Sequence, residues 1–267
     1  MTDLRVAVGQ YAATDDPEAS TATAVRLVEQ AAAAGAQLVL LPEYALAWAP
    51  RLRPALGDGH AEFADALAAA AVAHEVSIVV GTLEPEGERL RNVAIALGAD
   101  GRRRGAYTKV HLFDAFGVRE SEVLDAGDPH QEPVVVDVAG WQVGLATCYD
   151  LRFPETFRRL VDAGAEVFAV GAAWAAGTGK VDQLEVLARA RALENTSYLL
   201  LASQNGEGRS GHSAAIGPLG EVLATADDEP ELLIADLSRA RLDETRTTVP
   251  SLRHRRYAVA PAPPPPT

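Results

Sequence analysis

Two hydrophobic patterns alternate along the chain. Residues 4–10 read as a first strand, and residues 37–43 (QLVLLPE) form an apolar run bounded by turn formers, as in a strand buried on both faces. Further strands are predicted at 77–83, 166–172 and 198–204. Between them, apolar side chains recur at helical spacing, predicting helices over 17–34, 62–74, 154–163 and 181–195. Val25, Leu27 and Val28 are apolar positions of the first helix, and Gly35 supplies its stop. Hairpins are predicted for 93–97 with 105–110 around Asp100-Gly101, for 133–138 with 142–147 around Gly140, and within 212–226. A last strand covers 232–237.

The two halves echo one another. Ala34-Gly35-Ala36 leads into LVLLPE, and Ala163-Gly164-Ala165 leads, one residue on, into VFAVGA. This pattern fits two αβ halves packed face to face, and equally fits chance in an alanine-rich chain. No linker-like composition separates the halves, so residues 1–259 are expected to be one α/β domain. Residues 260–267 (APAPPPPT) lack apolar bulk and backbone donors, and are expected to be a disordered proline-rich tail.

Composition narrows the function. A hydrophobic content of 48% over 267 residues suffices for a large core. A formal net charge of −13 argues against nucleic acid and against anionic membrane surfaces as partners. A single cysteine rules out an internal disulfide. The first ten residues lack a signal-peptide pattern and no apolar run spans a membrane, so a cytoplasmic setting is expected.

Three positions can carry chemistry. Cys148 follows a predicted strand and precedes a helix that opens near Pro154, an elbow at which backbone N–H groups converge. A lone cysteine can equally be an inert core residue. Glu43 ends an apolar strand, the usual place for a functional carboxylate in α/β sheets, or it caps a loop. Lys109 also ends a predicted strand, as a functional ammonium or a surface charge. The six histidines show no HExxH spacing, so a metal-dependent hydrolase has little support and no metal or organic cofactor is expected. His111 with Asp114 reads as support for the Lys109 loop, and a papain-like pairing of Cys148 with His111 or His212 explains less of the sequence.

LPEY at 41–44, YTKVHLFD at 107–114 and ATCYDLRFPE at 146–155 resemble, in order and spacing, the three signature segments of the nitrilase superfamily of carbon–nitrogen hydrolases. Agreement extends from about Leu4 to Tyr257. HLFDAFG followed by Arg119-Glu120-Ser121 resembles the branch of ω-amidases and deaminated-glutathione amidases. True nitrilases typically follow the cysteine with Trp-Glu, where this chain has Tyr149-Asp150. Residues 172–179 depart from the ω-amidase pattern, which leaves the particular amide open.

The resemblance implies an α-β-β-α sandwich extended across a dimer or higher homo-oligomer. It implies hydrolysis of a small amide to acid and ammonia through a Cys148 thioester, with Glu43 moving protons and Lys109 favouring the thiolate and the oxyanion. N-carbamoyl amide or nitrile hydrolysis on the same three residues is the alternative, and a catalytically inactive binding protein lies outside the class. Glu120 is implied as a second carboxylate beside Lys109. Tyr149, through its backbone N–H, and Ala173 and Trp174, in the departing segment, are the expected oxyanion and substrate-binding residues.

Overall fold

The computed structural model describes residues 2–262, so residues 263–267 of the proline-rich tail lie outside the described residues. Strands β1 (Leu4–Gln10), β2 (Leu38–Leu40), β3 (Ser77–Glu86), β4 (Arg89–Leu97), β5 (Arg103–Thr108) and β6 (Leu124–Asp125) belong to one sheet. Strands β7 (Val135–Val138), β8 (Trp141–Thr147), β9 (Val167–Ala172), β10 (Tyr198–Ser203), β11 (Ala214–Ile216) and β12 (Val222–Thr225) form the other. The last strand, β13 (Glu231–Leu237), returns to the first sheet and pairs antiparallel with β1. The orders are β13-β1-β2-β3-β4-β5, with β6 beside β4, and β12-β11-β10-β9-β8-β7.

Helices α1 (Pro17–Ala33) and α2 (His60–His74) cover the outer face of the first sheet, where Leu27, Val28, Phe63 and Leu67 pack with Val39, Ile78 and Val80. Helices α3 (Pro154–Asp162) and α4 (Lys180–Asn195) cover the second sheet through Phe157, Leu160, Leu184 and Ala188 against Phe168, Val170 and Leu199. The sheets face each other through a third apolar layer that includes Val6, Val8, Leu40, Val79, Trp141, Leu145, Ala169 and Leu200. The result is the expected α-β-β-α order, each sheet burying alternate side chains on two fronts. Among the described residues, no helix is long and apolar enough to cross a membrane.

Three departures from the sequence reading have local causes. The strand read at 37–43 shortens to Leu38–Leu40. Pro42 has no N–H to give a ladder, and the chain turns there to carry Glu43 between the sheets. The hairpin of β3 and β4, closed near Gly87, was not predicted. Helix α5 (Arg239–Thr248), followed by the short α6 (Ser251–His254), was also missed. Its sequence, RARLDETRTT, offers Leu242 as its sole strongly apolar side chain and so no stripe to read.

Candidate active site

The Glu43 backbone passes between β3 of one sheet and β9 of the other. A Cβ built on Gly81 of β3 would lie 2.6 Å from the Glu43 Cα, and one on Gly171 of β9 would lie 2.9 Å from the Glu43 nitrogen. One glycine from each sheet therefore admits the Glu43 backbone. Gln204, just after β10, donates from Nε2 to the carbonyls of Glu43 (2.7 Å) and Tyr44 (3.2 Å). The Glu43 carboxylate is 1% exposed. Its Oε1 accepts from Asn92 Nδ2 (2.7 Å) and Lys109 Nζ (2.9 Å), and its Oε2 accepts from the Ala173 N–H (2.8 Å).

Lys109 directly follows β5 and is fully buried. Besides Glu43, its ammonium donates to Glu120 Oε1 (3.0 Å) and Oε2 (2.9 Å). Glu120 also accepts from the Tyr44 hydroxyl and the Phe113 N–H, both at 2.7 Å. Burial pulls the Lys109 ammonium toward its neutral form, but Glu120 and then Glu43 outweigh it, and the group is held well above the ordinary lysine range. Lys109 thus stays charged between two carboxylates.

Cys148 opens a 3₁₀ turn, Cys148–Arg152, between β8 and α3, with φ at +45°. A left-handed non-glycine residue costs about 1–2 kcal/mol, and such strain gathers at functional sites. Asp150, completely buried, holds the turn: Oδ2 accepts from the Thr147 N–H (2.9 Å) and the Tyr107 hydroxyl (2.8 Å). His111 Nδ1 lies 2.7 Å from Asp150 Oδ1 while its ring stacks on Phe153. The expected pairing of His111 with Asp114 is therefore corrected. Asp114 accepts instead from the N–H and hydroxyl of Ser121, ordering the loop that delivers Glu120.

Burial pushes the Cys148 thiol well above its ordinary range, and the Glu43 carboxylate adds to that push; Lys109 opposes it without reversing it. Two carboxylates against one ammonium already leave the buried cluster negative, and a thiolate would add a further charge. Lys109 favours the thiolate, as expected, but burial and Glu43 outweigh it, so Cys148 is held toward the protonated thiol.

A cavity of about 270 Å³ joins these groups, lined by Glu43, Glu120 and Cys148 and walled by Trp48, Phe113 and Trp174. Tyr149, Ala173 and Trp174 also line it. The Ala173 N–H is committed to Glu43, so Ala173 positions the carboxylate and forms wall. Trp174 is fixed by its indole N–H to the Lys180 carbonyl (3.0 Å). A larger cavity of about 570 Å³ lies behind the elbow, against His111, Phe153 and residues 259–262, and reaches none of Glu43, Lys109 and Cys148. Neither His111 nor His212 lines the Cys148 cavity, which removes the papain-like pairing. Tyr44 was quoted only as part of LPEY, and Asn92 and Gln204 went unnoticed in the sequence; for these two the available signal was a polar side chain inside or ending a buried apolar strand, as in RLRNVAIAL and YLLLASQ.

The carbon-nitrogen hydrolase family matches residues 5–247. The chain is 35% identical to a deaminated glutathione amidase of Escherichia coli O157:H7, covering 96% of this chain and 98% of that one. It is 30% identical to a human omega-amidase, covering 97% and 98%. Among solved structures it resembles an amidase of the nitrilase superfamily from Nesterenkonia AN1, with a TM-score of 0.79, 28% identity, and coverage of 93% and 96%. The chain belongs to the carbon-nitrogen hydrolase family of the nitrilase superfamily, enzymes that act on non-peptide amide bonds.

Proposed function

We propose that this enzyme is a thiol amidase that hydrolyses a small carboxylic-acid amide to the acid and ammonia. What supports it is the buried Glu43–Lys109–Glu120 cluster opening beside Cys148 onto one small cavity. The names of the amidase relatives favour amides over nitriles, as does Tyr149-Asp150 after the cysteine.

Glu43 takes the thiol proton as Cys148 Sγ attacks the amide carbon. A thiol-to-carboxylate transfer timed with attack avoids a free buried thiolate. Lys109 and the Tyr149 backbone N–H receive the oxyanion, and one such donor is worth about 3–4 kcal/mol. The carbon–nitrogen bond then breaks, Glu43 returns its proton to the departing ammonia, and a thioester remains on Cys148. Water attacks the thioester while giving a proton to Glu43. The carbon–sulfur bond breaks, the sulfur regains that proton, and the acid leaves. Glu43 is protonated and deprotonated twice per cycle; Glu120 is not, and keeps the ammonium charged and oriented.

A reducing cytoplasm would keep the thiol available. Pairing of two subunits suits the exposed apolar side chains Val186 and Leu193 on α4 and Leu219 and Val222 beside them. Light scattering should report at least twice the chain mass. The functional test is ammonia release from ω-amides, deaminated glutathione, N-carbamoyl amino acids and nitriles. Turnover of an amide ahead of every nitrile and carbamoyl compound is expected; the reverse order would remove the amidase reading.

A further inference from the structure

On the amidase reading, the two donors to the oxyanion come from different sheets. Lys109 follows β5 of the first sheet, whereas Cys148 and the Tyr149 N–H belong to the turn after β8 of the second. The layer between the sheets is apolar, with Ala94, Val143 and Leu145 among its members. Apolar contact is non-directional and does not by itself fix polar groups to the fraction of an ångström that catalysis needs. A misplacement of about 1 Å can cost about a hundredfold in rate.

Asp150 joins the two segments. It lies in the same turn as Cys148 and Tyr149 and is completely buried. Its two oxygens meet the residues two before and two after Lys109: Oδ2 accepts from the Tyr107 hydroxyl at 2.8 Å, and Oδ1 faces His111 Nδ1 at 2.7 Å. A carboxylate offers only lone pairs, so Nδ1 carries the proton in that bond. The Tyr107 hydroxyl also accepts from the Val110 N–H at 3.3 Å, which draws the backbone beside Lys109 into the network. Burial, and then Asp150, push the Tyr107 hydroxyl well above its ordinary range, so it stays a donor. On the other side, Oδ2 accepts from the Thr147 N–H at 2.9 Å, directly before the nucleophile. The His111 ring also lies flat on Phe153, at the far end of the turn, with centroids 3.7 Å apart.

We propose that His111 and Tyr107 are positioning residues that, through Asp150, set the spacing between the Lys109 ammonium and the turn carrying Cys148 and the Tyr149 N–H. This rests on the amidase reading of the site. Among the described residues lining the Cys148 cavity, Tyr107, His111 and Asp150 do not appear; Tyr107 and His111 border the larger cavity behind the elbow. Replacing either one leaves the substrate walls in place and acts on the chemical step.

The test measures kcat and KM on the best amide, corrected for the folded fraction by urea denaturation. His111→Phe keeps a ring to stack on Phe153 and removes the donor, and Tyr107→Phe keeps its ring and loses its hydroxyl. Each should lower kcat at least about tenfold while KM changes less than about threefold. His111→Asn, whose amide N–H can take the place of Nδ1, should recover part of the loss. Because His111 acts through Asp150, adding His111→Phe to Asp150→Asn should cost less than the product of the separate losses. Turnover of p-nitrophenyl acetate, whose leaving group needs no proton, reads Cys148 acylation apart from amide cleavage. Loss of ester turnover in His111→Phe and Tyr107→Phe, with no amide turned over by wild type, would keep the positioning role and end the amidase reading. Amide turnover by both variants at wild-type kcat would end the positioning role and keep the amidase. A loss explained by the unfolded fraction, or losses that multiply in the double variant, would likewise end it and leave His111 and Tyr107 as packing.

Discussion

Replacing Glu120 with glutamine tests whether the second carboxylate serves catalysis or only packing. The two Glu120 oxygens face only donors: Lys109 Nζ at 3.0 and 2.9 Å, the Tyr44 hydroxyl at 2.7 Å and the Phe113 N–H at 2.7 Å. Glutamine keeps the volume but turns one acceptor into a donor. If its NH₂ faces Phe113, a backbone N–H loses its acceptor. If it faces Tyr44, the hydroxyl can rotate to accept, but Lys109 loses half of its bidentate contact. Each lost charge-assisted bond amounts to about 1.5–3 kcal/mol. The Lys109 ammonium also loses the larger of the two attractions that oppose its desolvation. A loss of that size in the transition state corresponds to roughly ten- to hundredfold in kcat. Glu120→Ala is the blunter variant, because it strands three buried donors at roughly 1–3 kcal/mol each and lowers stability along with activity. The assay is kcat and KM on the best amide, beside urea denaturation of the same preparation. Glu120→Gln should lose kcat more than tenfold while remaining folded at the assay temperature. Wild-type kcat, or a loss explained by the unfolded fraction, would refute the reasoning.

Glu43→Gln should cut turnover at least about a hundredfold, since an amide moves no proton in either half-reaction. The same change should speed Cys148 labelling by methyl methanethiosulfonate at pH 7, because it removes a negative charge that raises the thiol pKa and leaves Lys109 to lower it. Labelling slower than wild type would show the sign to be wrong. In wild type, labelling should be slow at pH 7 and should rise as pH passes beyond the ordinary thiol range. Gly81→Ala should destabilise the fold by about 1–3 kcal/mol and displace Glu43, seen as lost kcat in the folded fraction, because the new Cβ meets the Glu43 backbone. Asp150→Asn should lower kcat more than it raises KM, since it weakens the bonds that hold the Cys148 turn; an unaltered kcat would separate that network from the nucleophile.

The sequence read well wherever one residue type answers to one environment. Apolar runs gave β3, β9 and β10 within a few residues, and Gly35 marked the end of α1 with its φ of +81°. Glu43, Lys109 and Cys148 stood out because each follows a predicted strand within one of three segments that resemble a family's signatures. What stayed hidden depends on contacts between distant segments. Asn92 and Glu43 meet across 49 positions, and Gln204 reaches Glu43 across 161, which local spacing cannot report. His111 was assigned to Asp114 because they are neighbours in sequence, whereas the fold brings Asp150 closer across 39 positions. The balance at Cys148 was hidden for a related reason: the depth of burial, which outweighs the pull of Lys109 on the thiol, comes from packing between distant segments.

The most direct test of the central claim is intact-protein mass spectrometry of wild type, acid-quenched within milliseconds of mixing with its best amide. A species heavier by the acyl group alone, mapped by peptide digestion to Cys148 and lost on treatment with hydroxylamine, is the predicted result, with Cys148→Ala folded, unlabelled and inactive. Substantial turnover by a folded Cys148→Ala protein, with no acyl mass on the wild-type chain, would contradict a Cys148 thioester.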